Sequence, residues 1–198
     1  MAGIPLTVRL GALEACRADQ LVHRPLFDGA PQEVPVAFLL EDGEPVTEER
    51  LESFGLEPDE AFTDAFEARA DADAGAWNAQ AVPVKGGGTL TILVREGESA
   101  DVEDLLVPAI LEDAARQLGA ASLAVALPAR GVLLAVDGGQ KWQLVAAFST
   151  AVKMQHERAG ESALWPGVLR VEGGSVTGLV ELSTVSLDAA AKRSRGGS

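Results

Sequence analysis

A chain of 198 residues, 47% apolar and 23% charged, can build a full hydrophobic core without disulfide or metal staples, which excludes a disordered chain. A net charge of −14 and a pI near 4.5 oppose both a phosphate backbone and an anionic membrane surface, so nucleic acid and membrane are not expected partners and a basic protein segment is. The lone Cys16 excludes an internal disulfide and a thiolate metal cluster. With no leader pattern in Met1 to Leu10 and no apolar run of spanning length, it points to a reducing cytoplasm.

Pro5 to Leu10 alternates apolar and polar residues and predicts a half-buried strand, whereas Gly11 to Arg24 reads as a short helix or a loop. Pro25, Gly29, Pro31 and Pro35 punctuate a linker before Val34 to Leu40, an apolar run that predicts a buried strand. After a turn at Glu41 to Pro45, Thr47 is the expected N-cap of a helix that ends at Gly55. Pro58 opens a second helix, with Ala61, Phe62, Ala65 and Phe66 as its apolar stripe and fraying expected within Arg69 to Gly75. A hairpin follows, Ala81 to Lys85 and Thr89 to Arg95, turned by Gly86, Gly87 and Gly88.

Ser99 or Asp101 then caps a helix reaching Leu118 and Gly119, within which Pro108 marks either a kink or the true first turn. A second hairpin pairs Ser122 to Leu127 with Gly131 to Val136, turned by Pro128, Ala129 and Arg130. A long helix from about Gln140 to Arg158 has Trp142, Val145, Phe148 and Val152 as its expected core face. Gly160 ends it, and a third hairpin joins Gly167 to Val171 with Val176 to Leu182 over Gly173 and Gly174. Residues Ala189 to Ser198 read as a disordered tail carrying Lys192, Arg193 and Arg195.

Strands arriving in hairpins, with helices between the pairs, predict an α+β fold: a mixed or mainly antiparallel sheet with helices packed on it. One domain over residues 1–188 is expected, with 1–75 and 76–188 as possible sub-units.

Catalytic and metal motifs are missing. The two histidines, His23 and His156, stand in no metal-binding spacing, and no nucleophile elbow surrounds a serine, so no metal, cofactor or catalytic residue is expected. Cys16, beside Arg17 but among Ala12, Leu13 and Ala15, reads as a buried structural thiol. The glycine run at Gly86 precedes a strand and not a helix, as a phosphate loop would require. Gly138 and Gly139, with Lys141, resemble an anion-binding helix start but lack its spacing. Asp71-Ala-Asp73-Ala-Gly75 lacks the bidentate glutamate of a calcium loop. Carboxylate pairs such as Glu48/Glu49, Asp59/Glu60 and Asp101/Glu103/Asp104 fall at helix starts and on polar faces, where solvation and capping explain them. Four residues remain as candidate contacts for a partner: Trp165, in a loop before Pro166, Arg130 at a hairpin tip, Arg170 in a strand, and His156 in the last turn of a helix.

Four stretches together resemble the YtpQ-like family of bacterial domains. They are Val46-Thr47-Glu48-Glu49-Arg50-Leu51-Glu52-Ser53-Phe54-Gly55 with the helix through Phe66; Leu105-Leu106-Val107-Pro108 with the helix closing at Leu118-Gly119; Ala126-Leu127-Pro128-Ala129-Arg130-Gly131-Val132-Leu133-Leu134; and Leu164-Trp165-Pro166-Gly167-Val168-Leu169-Arg170. The resemblance covers most of Val34 to Leu182 and implies an α+β fold in a bacterial cytoplasm, with no established activity and no catalytic residue. The function expected from these readings is a non-catalytic binding or adaptor domain that meets a basic protein. The alternatives are an enzyme whose site assembles from dispersed residues, or a component of a larger bacterial complex.

Overall fold

The computed structural model describes residues 6–71, 76–85, 88–96 and 101–180. Among the described residues, ten strands and five α-helices form two antiparallel sheets with helices packed on them, the α+β class expected. In the smaller sheet, β1 (Leu6–Gly11) and β2 (His23–Pro25) flank β3 (Val36–Glu41), and α1 (Leu13–Ala18) lies between β1 and β2 in the chain. A two-residue strand, β4 (Glu44–Pro45), folds back on β3 through Asp42 and Gly43, both at positive φ (50° and 87°), the twist that a tight hairpin needs.

Next come α2 (Glu48–Phe54) and α3 (Pro58–Asp71). Their ends are set locally. The Thr47 hydroxyl accepts from the Arg50 amide, Gly55 takes a left-handed φ of 70°, and Pro58 occupies the first turn of α3, where its missing N–H costs nothing. Ala61, Phe62 and Ala65 are buried against β1 and β3.

The larger sheet runs in the order β10-β9-β7-β8-β6-β5. Its strands are β5 (Asn78–Val84), β6 (Gly88–Glu96), β7 (Ser122–Ala129), β8 (Val132–Asp137), β9 (Val168–Glu172) and β10 (Ser175–Leu179). Two crossovers build it. One, through a 3-10 turn at Val102–Leu106 and α4 (Pro108–Leu118), links β6 to β7; the other, through α5 (Trp142–Ala159), links β8 to β9. Each skips one strand in the same lateral direction, yet they start from antiparallel neighbours. A common hand for the two connections therefore puts α4 and α5 on opposite faces.

Strand alternation sorts the apolar side chains accordingly. Ala124, Ala126, Leu134 and Val136 meet Leu144, Phe148 and Val152 of α5. On the other face Leu123, Val125, Leu133 and Leu169 join Ile110 and Leu111 of α4, the buried face of α3, and Leu6, Val8, Leu10 and Leu39 of the small sheet. This second cluster is continuous between the two sheets. No helix among the described residues is long and apolar enough to cross a membrane.

Several expectations need correction. The helix expected between residues 101 and 118 is two elements, and of the two readings of Pro108 the true first turn holds: Asp101 caps the 3-10 turn, Val107 is extended (φ −104°, ψ 103°), and Pro108 begins α4. The residue before a proline is driven out of the helical region by its ring, which explains the break. Pro128 and Ala129 belong to β7, at an irregularity in its pairing with β8, so the turn is made by Arg130 and Gly131 (φ 70°). Trp142 stands 47% exposed at the start of α5; Leu144 takes its place in the core face. Gly86, Gly87, Ser99, the segment 72–75, the end of the third hairpin at 181–182 and the tail Ala189 to Ser198 lie outside the described residues.

Candidate functional site

Two polar features stand out, one buried and one exposed. The buried one joins the two sheets. Arg95 lies on β6 with the parity of Leu93, so it points into the larger cluster instead of into water. It is 3% exposed, and its charge is met by Asp104 of the 3-10 turn, itself 0% exposed: Nε donates to Asp104 Oδ2 at 2.9 Å, with Nη2 2.7 Å from the same oxygen. Arg69, from the last turn of α3, donates through Nη2 to Asp104 Oδ1. The Trp77 ring covers the Arg95 guanidinium at 5.5 Å and donates its own Nε1–H to Ile110 O at 3.1 Å. Two guanidiniums on one carboxylate satisfy an ion pair that burial would otherwise disfavour.

Next to it, Glu103 is 2% exposed and takes the Leu10 amide on Oε1 at 2.7 Å. Its other oxygen has no donor. Burial, then the hydrogen bond and charge of Asp101, push the Glu103 carboxyl up to about 8 despite the Leu10 amide. Burial also pushes Asp101 up, but the Glu103 hydrogen bond, the Val102 amide at 2.8 Å and the charges of Arg69 and Arg9 outweigh it, leaving that carboxyl below its usual range. The two shifts are opposite: the surroundings favour the neutral form of Glu103 and the charged form of Asp101. The Leu10 carbonyl is held as well, by Arg130 Nη2 at 3.3 Å from the β7–β8 turn. Both main-chain groups of Leu10 thus end on side chains from the other sheet's side of the molecule. A cavity of about 390 Å³ adjoins this junction, with Arg9, Arg69, Asp101 and Glu103 on its wall.

The sequence reading assigned Asp101, Glu103 and Asp104 to solvation and capping. Capping holds for Asp101 and Asp104, which form a capping box, whereas solvation fails for Asp104 and Glu103, which are in the core. The missed signal is strand parity: an arginine in register with Leu93 needs a buried anion, and the chain supplies one in Asp104, nine residues later.

The exposed feature is an acidic lobe. From Glu41 to Glu67 the sequence has eleven carboxylates and one cation, Arg50. Apart from Glu41, which is partly covered and pairs with Arg50 at 3.0 Å, all these acids are exposed, on the β3–β4 hairpin, α2 and α3. The helices bury their other sides, through Leu51 of α2 and Ala61, Phe62 and Ala65 of α3.

The four residues singled out as partner contacts do not converge. Trp165 is 8% exposed and packs in the larger cluster, its amide donating to Leu127 O at 3.1 Å; it is not an exposed anchor, because the ring lies over Gly167, where a Cβ would sit 2.2 Å from it. Arg130 is exposed but engaged with Leu10. Arg170 is exposed on β9 and pairs with Glu172 at 2.6 Å. His156 is half-buried in the last turn of α5, across the large sheet from Trp165. Ahead of α5, Asp137 Oδ1 accepts the Gly139 amide at 2.8 Å, so Gly138 and Gly139 form a turn that the Asp137 side chain closes. Cys16 is buried, and burial followed by the charge of Asp19 pushes its thiol up, away from the reactive thiolate. Among the described residues no cluster of three metal-ligating side chains occurs. No family model, no curated protein and no solved structure matches the chain.

Proposed function

We propose that this protein is a non-catalytic binding domain of the cytoplasm whose acidic lobe docks a basic segment of another protein. The carrying observation is where the charge sits. Most of the net −14 comes from the span of eleven carboxylates and one arginine on α2, α3 and the β3–β4 hairpin. Like charges gathered on one exposed surface repel each other at some cost in stability and raise the encounter rate with a cation. The buried acids support the same reading by contrast, since Asp104 and Glu103 are occupied in holding the two sheets together. Cys16 as a buried thiol suits the reducing compartment proposed. The resemblance to the YtpQ-like family is compatible with this role and supplies no catalytic residue.

Recovery of partners on immobilised protein, at about 0.05 M and about 0.5 M salt, tests it. The screening length shrinks from roughly 14 Å to about 4 Å over that range. Proteins with basic surfaces, held at low salt and released at high salt, are the expected result. A partner set without basic surfaces, or retention indifferent to salt, would overturn the proposal.

A further inference from the structure

The acidic lobe is not uniform: one place on it has an apolar floor. We infer that the groove between β2 and the α2–α3 corner seats an arginine side chain of the basic partner, with an apolar residue beside that arginine in the partner's sequence. This rests on the function proposed above and assigns it a location and a recognition chemistry.

The groove exists because of how the corner is built. Gly55 stops α2 in a left-handed turn, and Pro58 starts α3 three residues later, so Leu56 and Glu57 bridge the two helices beside β2. The space enclosed is about 370 Å³. Its floor is Val22, Leu51, Leu56 and Pro58, and its rim is Glu48, Glu52 and Glu57. Val22 and Leu51 are 4% and 2% exposed and belong to the larger cluster, which makes the floor a rigid extension of the core. The rim carboxylates are exposed, and none has an ion pair or side-chain hydrogen bond among the described residues, unlike Glu41 with Arg50.

His23 closes the end of the groove. Its Nδ1 lies 2.8 Å from Leu21 O. A carbonyl only accepts, so a hydrogen is on Nδ1. The lining therefore offers three anions around an apolar base. A guanidinium has five donors on a stem of three methylenes; the stem matches the floor and the head matches the rim. An anionic ligand would be repelled, and a purely apolar one would cover carboxylates without pairing them.

The test is a titration of the whole chain, followed by amide shifts, with two peptides of equal charge: arginines flanked by leucine and arginines flanked by glycine. Two double variants change the net charge equally. Glu52→Lys with Glu57→Lys reverses the rim, whereas Glu60→Lys with Asp64→Lys reverses the lobe outside the groove. The expected result has three parts. The leucine-flanked peptide binds more tightly and shifts the amides of Val22, Leu51 and Leu56; the rim pair weakens it roughly tenfold or more; and the outer pair weakens it about twofold. Equal losses from both pairs, or equal affinity for the two peptides, would overturn the groove while leaving the acidic lobe as a docking surface. Failure of the unmodified chain to bind either peptide would overturn both readings. Thermal unfolding of each variant separates lost binding from lost fold.

Discussion

Eleven carboxylates lie between Glu41 and Glu67 beside one cation, and another eleven lie between Ala76 and Val180 among eight lysines and arginines. The first set is left in water and the second is largely balanced, with Asp104 and Glu103 taken into the core. The difference teaches that one residue type does two jobs in this fold, set by environment. In high dielectric a carboxylate contributes field and little stability; in low dielectric it must be neutralised or paired, and then its loss is felt throughout.

The comparison can be broken most directly at Asp104. Asp104→Ala leaves Arg69 and Arg95 without their shared anion, and a loss of about 3–5 kcal/mol is expected by urea unfolding. A loss near that of a surface residue would show that the junction is not under tension.

Glu103 gives the next largest effect, as a pH dependence. The folded chain keeps this proton up to about pH 8, whereas an unfolded glutamate releases it near 4.5. Its contribution to stability is therefore complete below about 4.5 and is lost as pH rises through 8. Asp101, shifted the other way, contributes above its unfolded value and loses that contribution only in acid, so it does not mask the decline. Glu103→Gln retains an acceptor for the Leu10 amide and removes the ionisable group. Unfolding measured from pH 5 to pH 9 should show a markedly flatter profile for this variant than for the parent chain.

In the exposed half the backbone caps outweigh the charges. Thr47→Ala removes the acceptor for the Arg50 amide and is expected to cost about 1 kcal/mol. Asp64→Asn, on the solvent side of α3, should change stability by less than about 0.5 kcal/mol in the same assay. If the order of these two were reversed, the carboxylates of the lobe would be structural and the contrast drawn here would fail.

Local chemistry made the α2–α3 region legible from sequence: Thr47, Gly55 and Pro58 act on their immediate neighbours, and the structure places all three as expected. The hairpins and the α+β class were legible for the same reason, through alternation and turn residues. The misreadings share one cause. Trp142 fits the stripe of α5 by spacing, yet only the position of α5 on β7 decides that Leu144 is covered instead. Glu103 and Asp104 look like helix-start acids until Leu10, 93 residues away, and Arg69, 35 away, are brought to them. Trp165 before Pro166 resembles an exposed anchor because sequence does not reveal Gly167 making room beneath its ring. The groove likewise needs Val22 beside Leu51 and Leu56, a juxtaposition created by the small sheet.

The grip on Leu10 has a consequence for self-association. Strand β1 is one of the two outer strands of its sheet among the described residues, and the rim of an outer strand is an open template on which a second chain can lay a strand of its own. At Leu10 that template is blocked, since Glu103 and Arg130 already occupy the amide and the carbonyl an incoming chain would need. Fibril-like growth from this rim would first have to dislodge two side chains.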